Sequence, residues 1–292
     1  DDRDAGIISL GGSKILVTMF TGDSRIYANY QDYQEHDEEF TSRYQACLRW
    51  ISDETAEKWL GSWIRISPDG GETWGELRRA PANTPHGPIR LQDGSLLYFG
   101  KSWQEGMTKG AIAAYHSQDQ GMTWSKSGEV PLYPGTHYGN YHEPHIAELQ
   151  DGTLIGHIRV KNKSGTSDLD DLGIPSFSIM QTKSTDRGKT WRMVVPFSFH
   201  ASQPHLLRHT TGALVCVYGF RQQPYGQRVM ISKDNGNTWG YHYILRDDGP
   251  DWDLGYPASV ELNDHSILTI YYQKATTTRE KCSLLWTRWR LP

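Results

Sequence analysis

Short apolar runs alternate with polar positions along most of the chain, which is the pattern of half-buried β-strands. Two clear examples are Trp63-Ile64-Arg65-Ile66 and Arg228-Val229-Met230-Ile231. One stretch favours a short helix over Ser52–Leu60, with Ser52 as the N-cap and Gly61 after its end. The pattern therefore predicts an all-β chain with little helix.

A phrase of eight residues with the form Ser-x-Asp-x-Gly-x-Thr-Trp follows four of the strand-like runs. The Asp carboxylate can accept backbone N–H groups within a tight turn, Gly tolerates a positive φ, and Trp can fold back as an apolar plug. We interpret the phrase as a structural staple between two strands, with no catalytic or calcium-binding role. The copies are SPDGGETW (67–74), SQDQGMTW (117–124), STDRGKTW (184–191) and SKDNGNTW (232–239).

A second hairpin phrase alternates with the first, as in LQDGSLLYFG (91–100) and LQDGTLIGHI (149–158). After the first copy the phrase returns every 50 to 60 residues or so, with four short strands in each period, which is typical of a propeller blade. We therefore predict a β-propeller of four-stranded antiparallel blades, five of which are visible. The five turn positions are Gly12, Gly94, Gly152, Gly212 and His265.

The first period is longer because residues 22–61 form an insertion rich in Tyr and acidic residues, which contains the predicted helix. We interpret this insertion as a long loop over one face of a single domain that spans residues 1–292. The chain starts at Asp1 without a signal-peptide pattern, so we expect a processed or trimmed product and leave the compartment open, with secretion or the periplasm as options.

Composition narrows the function classes. The 292 residues carry 30 Lys and Arg against 34 Asp and Glu, a formal net charge of −4, which argues against a nucleic-acid binder. No run is long and apolar enough to span a bilayer. The three cysteines are far apart in sequence and odd in number, which argues against a disulfide framework.

The repeat register selects candidate site residues, because in a propeller the start of each first strand and the end of each second strand open on one face. Counting nine residues back from the turn positions selects Arg3, Pro85, Glu143, Gln203 and Tyr256. Counting seven forward selects Met19, Lys101, Arg159, Gly219 and Tyr272. Arg221 and Arg228 fall in the predicted loop between the second and third strands of the fourth blade, on the same face.

These residues predict a cationic opening that suits a carboxylate or sulfate, since guanidinium groups bind such oxygens in pairs. Tyr256 and Glu143 suggest chemistry in addition to binding. A tyrosine is a poor nucleophile at neutral pH unless a carboxylate takes its proton, and a neutral phenol avoids the repulsion between a carboxylate nucleophile and an acidic sugar. An interior aromatic role for Tyr256 and a solvated surface role for Arg159 are the structural alternatives.

The repeated Asp turn resembles the Asp-box, or BNR, repeat of the sialidase-like propellers, and the similarity extends over the whole chain. HEPHIAELQDGTLIGHIR resembles the segment with the catalytic Glu and a triad Arg, which implies these roles for Glu143 and Arg159. LGYPASVEL resembles the segment of the nucleophilic Tyr, which implies that role for Tyr256. For the third Arg of the triad both Arg221 and Arg228 fit.

Three features depart from the sialidase pattern. Where a Glu usually buttresses the first Arg, this chain has Tyr272 or Gln273. For the acid/base position only Asp4, Asp23 and Asp32 are candidates. Five blades are visible where sialidases have six, so either Arg3 is the first Arg of a five-bladed ring or an upstream blade is absent; we expect the second, with six blades in the complete protein.

Twelve histidines raise the question of a metal. His142 and His145 lie three apart on one predicted strand and so face opposite sides, which makes them poor partners for one ion. We expect no metal and no cofactor. His86 and His205, close to blade starts, are interpreted as donors to a sugar or as structural groups.

The leading hypothesis is an exo-acting, retaining glycoside hydrolase of sialidase type that removes sialic acid or a related acidic sugar. A binding propeller for acidic carbohydrate without catalysis is the first alternative. A hydrolase or lyase for uronic or sulfated polysaccharide is the second. In all three hypotheses the partner is a carbohydrate, and the oligomeric state is left open.

Overall fold

A computed structural model describes residues 2–27, 38–103, 108–278 and 281–292, and the regular secondary structure in these ranges is mostly β-strand. Contacts between residues divide the chain into two compact units, Asp1–Ala80 and Pro81–Pro292. The acid/base candidate Asp32 lies outside the described residues. The expected single domain stays a prediction.

In its described residues the first unit contains one four-stranded antiparallel sheet and two α-helices. The predicted helix is confirmed, since Ser52 caps α2 by accepting a hydrogen bond from the Thr55 amide. A helix in front of it, α1, was not predicted, because its sequence has no clear apolar period. Sheet 1 comprises β1 Asp2–Gly11, β2 Lys14–Thr21, β3 Gly61–Ser67 and β4 Arg78–Arg79; the helices are α1 Glu38–Leu48 and α2 Asp53–Trp59. Neither helix combines the length and the apolar character that crossing a bilayer requires within the described ranges.

The second unit contains four further antiparallel sheets in chain order. Sheet 2 comprises β5 Ile89–Arg90, β6 Leu96–Lys101, β7 Ile112–Ser117 and β8 Ser125–Glu129. Sheet 3 comprises β9 Tyr141–Glu148, β10 Leu154–Val160, β11 Ser178–Ser184 and β12 Val195–Pro196. Sheet 4 comprises β13 Ser202–Arg208, β14 Leu214–Phe220, β15 Gly226–Ser232 and β16 Gly240–Arg246. Sheet 5 comprises β17 Leu254–Glu261, β18 Ile267–Gln273 and β19 Ser283–Trp289.

Consecutive sheets of the second unit pack against one another, as propeller blades do: β9 contacts β6, the second strand of sheet 2, and the first strands of sheets 3, 4 and 5 contact one another in turn, β13 with β9 and β17 with β13. Apolar side chains fill the spaces between sheets. Between sheets 2 and 3, for example, the rings of Phe99 and Trp191 lie 4.8 Å apart within a buried cluster. The all-β prediction of blade-type sheets is confirmed, and the fifth sheet has three strands in the described part of the chain.

The Asp-box turns have the predicted structure, which the copy at 184–191 illustrates. Ser184 Oγ donates to Asp186 Oδ1 and accepts from the Gly188 amide, at 2.8 Å in both cases. The same carboxylate accepts from the backbone amide and the hydroxyl of Thr190. Trp191 folds back to donate its indole N–H to the Gly188 carbonyl. These bonds lower the pKa of Asp186 to about 2, so the carboxylate is fully occupied in holding the turn.

We expect Ser184→Ala to lower the free energy of unfolding without changing the contacts of Glu143 and Arg159, which lie at the other end of sheet 3. Ser184 is 2% exposed, so its loss leaves the Gly188 amide buried without a partner, at a cost of about 1–3 kcal/mol. Urea unfolding measures this cost, with Ser164→Ala at an exposed turn as the control. Equal stability of the two variants would contradict the staple role of the Asp box.

Candidate active site

Three neighbouring first strands share one backbone irregularity. Glu143, Gln203 and Tyr256 have φ values of +47°, +51° and +51°, each at or beside a register shift between the first and second strands. A positive φ is unfavourable for residues with a side chain, by roughly 1–2 kcal/mol each. Strain of this kind is concentrated at functional sites. Each of the three residues precedes a proline: Pro144, Pro204 and Pro257.

The strained positions bring Tyr256 into contact with Glu143. The Tyr256 hydroxyl donates to Glu143 Oε1 at 2.7 Å. Glu143 Oε2 lies 2.7 Å from Arg159 Nη1, an ion pair in which the two side chains are 14% and 5% exposed. One carboxylate therefore contacts a phenol through one oxygen and a guanidinium through the other. A carboxylate in this position can take the phenol proton.

Gln203 connects Arg159 to Arg221. With its amide oriented to suit its neighbours, Gln203 Oε1 accepts from Arg159 Nη1 at 3.1 Å and from Arg221 Nη2 at 2.7 Å. Arg221 follows β14 directly and also donates to the Leu254 carbonyl. The structure thus places Arg159 and Arg221 next to each other beside Glu143.

Arg228 has different surroundings. The prediction that it lies in a loop is wrong, because it lies within β15 and is 4% exposed. Its Nη1 and Nη2 atoms donate to the carbonyls of Gln227, Arg246 and Pro224. Three backbone acceptors therefore occupy this guanidinium, whereas Arg221 joins the group around Glu143.

Two lysines add positive charge to the same region. Lys101 is 6% exposed, and its ammonium donates to the carbonyls of Tyr138 and Tyr141. Burial lowers the pKa of Lys101 to about 8, and the positive charge of Lys163 contributes further. Burial, and then the charge of Arg159, likewise lower the pKa of Lys161 to about 8. Both ammonium groups are therefore mostly charged at neutral pH.

Sequence reasoning did not identify Lys161 or Phe177. Lys161 follows Arg159 by two residues, a spacing that could have shown it on the same side. Phe177 has a φ of +58°, unusual for a bulky residue, and no sequence signal marks it. Its ring centre lies 5.8–5.9 Å from the cationic groups of Arg159, Lys161 and Arg221.

Several buried polar atoms in this group have no hydrogen-bond partner: Glu143 Oε2, Arg159 Nε and His142 Nε2. Glu143 Oε2 is close to Arg159 but outside hydrogen-bond geometry. Burial, followed by the charge of Lys101, lowers the pKa of His142 to about 2, so its ring stays neutral. Buried polar groups are normally paired, and unpaired ones clustered at one place are typical of a site that a polar ligand completes.

His86, His145 and His205 form a cluster: the His145 and His205 rings are stacked with centres 4.3 Å apart, and the His86 ring lies 4.6 Å from His145 and 5.3 Å from His205 at larger angles. His145 Nδ1 accepts from the Leu206 amide, and His205 Nδ1 accepts from the Ser259 amide. These two rings therefore carry their proton on Nε2, where a metal would need a lone pair. No cluster that could hold a metal ion is found in the described ranges. These contacts favour the structural interpretation of His86 and His205, which stays a prediction.

The remaining candidates belong to the first unit. Arg3 and Asp4 lie on β1, where Asp4 has a φ of +57°. Asp23 forms a 2.8 Å ion pair with Arg25. Hydrogen bonds from Arg25 lower the pKa of Asp23, the opposite of what a general acid requires.

The blade sheets, the Asp-box turns and the cationic site define a propeller of the BNR type. Residues 47–270 match the model of the BNR repeat-like domain family. Since the match spans more than half of the chain, the protein belongs to this family. No curated protein sequence matches the chain.

Comparison with solved structures supports the same fold. A Dyadobacter fermentans protein of unknown function has a TM-score of 0.71 and 19% identity, over 100% of this chain and 77% of the other. For a Hadza microbial sialidase the values are 0.61 and 16%, over 99% of this chain and 52% of the sialidase. For a Penicillium chrysogenum α-L-arabinanase they are 0.57 and 15%, over 97% and 80%. The chain thus spans about half the length of the sialidase, and at these identities the similarity establishes the fold.

Proposed function

We propose that the protein is a retaining exo-glycoside hydrolase that cleaves a terminal acidic sugar, of which sialic acid is one candidate. The observation that carries the proposal is the 2.7 Å hydrogen bond from Tyr256 to Glu143, whose second oxygen contacts Arg159. The names of two structural neighbours, a sialidase and an arabinanase, support the broader class of glycoside hydrolase.

The excess of positive charge explains the choice of an acidic sugar. Arg159, Arg221, Lys101 and Lys161 lie around the Glu143 carboxylate. A substrate carboxylate would restore the balance, and it could receive a charge-assisted hydrogen bond from a guanidinium. Arg221 Nη1 has no hydrogen-bond partner among the described residues, so it is available for this contact.

In the first chemical step Tyr256 Oη attacks the anomeric carbon while Glu143 takes its proton. The bond from the anomeric carbon to the leaving oxygen breaks, and a general acid protonates that oxygen. Asp4, Asp23 and Asp32 stay predictions for the acid, of which Asp23 is disfavoured by its pair with Arg25. In the second step water attacks the same carbon and gives its proton to the conjugate base of the general acid, while the phenolate of Tyr256 leaves and regains the proton from Glu143.

An assay with paired fluorogenic glycosides, one acidic and one neutral, tests the proposal. We expect turnover of the acidic glycoside and an increase in its KM of about tenfold in Arg221→Lys, because the lysine side chain lacks the planar group whose contacts with Gln203, Leu254 and Tyr272 fix the position of the positive charge. Arg228→Lys is the matched control, because the Arg228 guanidinium donates its hydrogen bonds to the backbone carbonyls of Gln227, Arg246 and Pro224. Preference for the neutral glycoside, or equal KM changes in both variants, would reject the acidic substrate.

The ion pair of Asp23 also favours a second candidate, a propeller that binds acidic carbohydrate without cleaving it. Saturable binding of an acidic sugar without release of product would select this alternative. The same glycosides serve for the binding measurement, so one set of reagents separates the two functions.

A further inference from the structure

We propose that Tyr272, itself held by Asp253, is a positioning residue that fixes the Arg221 guanidinium with its Nη1 edge turned towards the substrate carboxylate. This inference rests on the proposed function, because it assigns the substrate carboxylate as the ligand of Arg221. It concerns two residues that contribute through Arg221 and take no part in bond making or breaking.

The hydrogen bonds run in one direction. Arg221 Nη2 donates to the Tyr272 hydroxyl at 3.1 Å, and that hydroxyl donates to Asp253 Oδ1 at 2.9 Å. Burial raises the pKa of Tyr272, so the hydroxyl keeps its proton. Because its single proton is directed to Asp253, the oxygen lone pairs face Arg221. Asp253 therefore sets the orientation in which Tyr272 accepts from the guanidinium.

The other contacts of Arg221 fix the same edge. Nε and Nη2 donate to the Leu254 carbonyl at 3.1 Å and 2.9 Å, and Nη2 lies 2.7 Å from Gln203 Oε1. Together with the Tyr272 hydroxyl, these acceptors fix the Nε and Nη2 atoms of the guanidinium from three different strands or the residues beside them. Aromatic rings lie beside the group, with the centres of Phe177 and Trp252 at 5.8 Å and 5.7 Å. The Nη1 edge is what remains for a ligand.

The contact between the uncharged Tyr272 hydroxyl and Arg221 has an electrostatic consequence. Arg159 is already paired with Glu143, whereas within the described ranges no carboxylate lies within ion-pair distance of Arg221. A tyrosine hydroxyl can fix the guanidinium without neutralising it, because the negative charge of Asp253 is one hydrogen bond further away. The affinity for a substrate carboxylate therefore depends mainly on Arg221.

Tyr272→Phe tests the role of the hydroxyl alone, because the ring is kept and with it the packing against Tyr256, 5.8 Å between ring centres. We expect KM for the acidic glycoside to increase about tenfold, the effect of losing a hydrogen bond to a charged group, with kcat within about twofold. Asp253→Asn should raise KM less. Tyr271→Phe is the matched control, since the Tyr271 hydroxyl contacts Thr287 instead. An unchanged KM in Tyr272→Phe overturns the proposal.

A second measurement needs no substrate. The Nε–Hε group of Arg221, assigned in nitrogen-15 NMR spectra by comparison with Arg221→Lys, should exchange with water about tenfold faster in Tyr272→Phe than in the wild type or in Tyr271→Phe. Equal exchange in all three proteins overturns the positioning role. If the wild type cleaves no acidic glycoside, the proposed function fails, and this exchange measurement still decides whether Tyr272 holds Arg221.

Discussion

Tyr256→Phe is expected to lower kcat for an acidic glycoside by about 10³-fold or more, because the variant has no oxygen to form the covalent intermediate. The hydroxyl contacts Glu143 at 2.7 Å, and the ring is retained, so the fold and ground-state binding should change little. Kinetics with the fluorogenic acidic glycoside measure kcat and KM, and thermal unfolding checks the fold.

Glu143→Gln tests the partner of that tyrosine. The amide cannot take the phenol proton, so we expect a decrease in kcat of about 10²–10⁴-fold. Tyr271→Phe, which removes a hydroxyl bonded to Thr287, is the control. Undiminished turnover in Tyr256→Phe would end the assignment of Tyr256 as nucleophile, and undiminished turnover in Glu143→Gln would end the proton-relay role.

The protein is expected to lose most of its stability between pH 6.5 and pH 4. Burial lowers the pKa of His157 and His205 to about 4 and that of His142 to about 2. Burial also holds the pKa of His86 and His145 well below the usual value. Protonation of the stacked rings would remove the Nδ1 lone pairs that accept the amides of residues 206 and 259.

The direction of the pH effect follows from proton linkage. An unfolded histidine binds a proton below about pH 6.5, whereas these folded histidines stay neutral, so acid favours the unfolded chain. The stabilisation is complete above pH 6.5 and decreases as the pH falls towards the folded pKa. By pH 5, each histidine that stays neutral in the folded protein lowers the free energy of unfolding by about 2 kcal/mol. Two or three such histidines would remove a large part of the roughly 5–15 kcal/mol that is typical for the free energy of unfolding of a protein.

Urea unfolding at pH 7, 6 and 5 measures this loss. We expect His205→Gln to be less stable than the wild type at pH 7. Its free energy of unfolding should also change less steeply with pH than that of the wild type, by about 1.4 kcal/mol per pH unit. His265→Gln is the control, because the His265 side chain is 66% exposed. The Asp-box carboxylates, whose pKa values are lowered to about 2, stay ionised across this window. A free energy of unfolding that is constant from pH 7 to pH 5 would refute the prediction.

The repeats made the local structure predictable. Each Asp box carries its own hydrogen-bond partners within eight residues, so its turn could be inferred without knowledge of the rest of the chain. The same is true of α2, whose N-cap Ser52 is four residues or fewer from the groups that it contacts. α1 has no comparable local signal and was missed.

The register also identified Glu143, Gln203 and Tyr256 as equivalent positions on first strands. It could not show that these residues have a positive φ, since the register shifts arise from pairing with the second strand. Nor could it distinguish Arg221 from Arg228. The tertiary structure decides that choice, because the carbonyls of Arg246 on β16 and of Pro224 before β15 occupy the Arg228 guanidinium.

The sequence by itself determined the all-β class, the blade repeat, the staple turns and the strand ends from which the site residues come, because these follow from contacts between residues close in sequence. Only the tertiary structure decided which side chains meet. The Tyr256–Glu143 bond joins residues 113 positions apart, and the histidine stack and the Arg221–Tyr272–Asp253 chain likewise combine different strands. Such contacts depend on how neighbouring sheets pack, which no local pattern specifies.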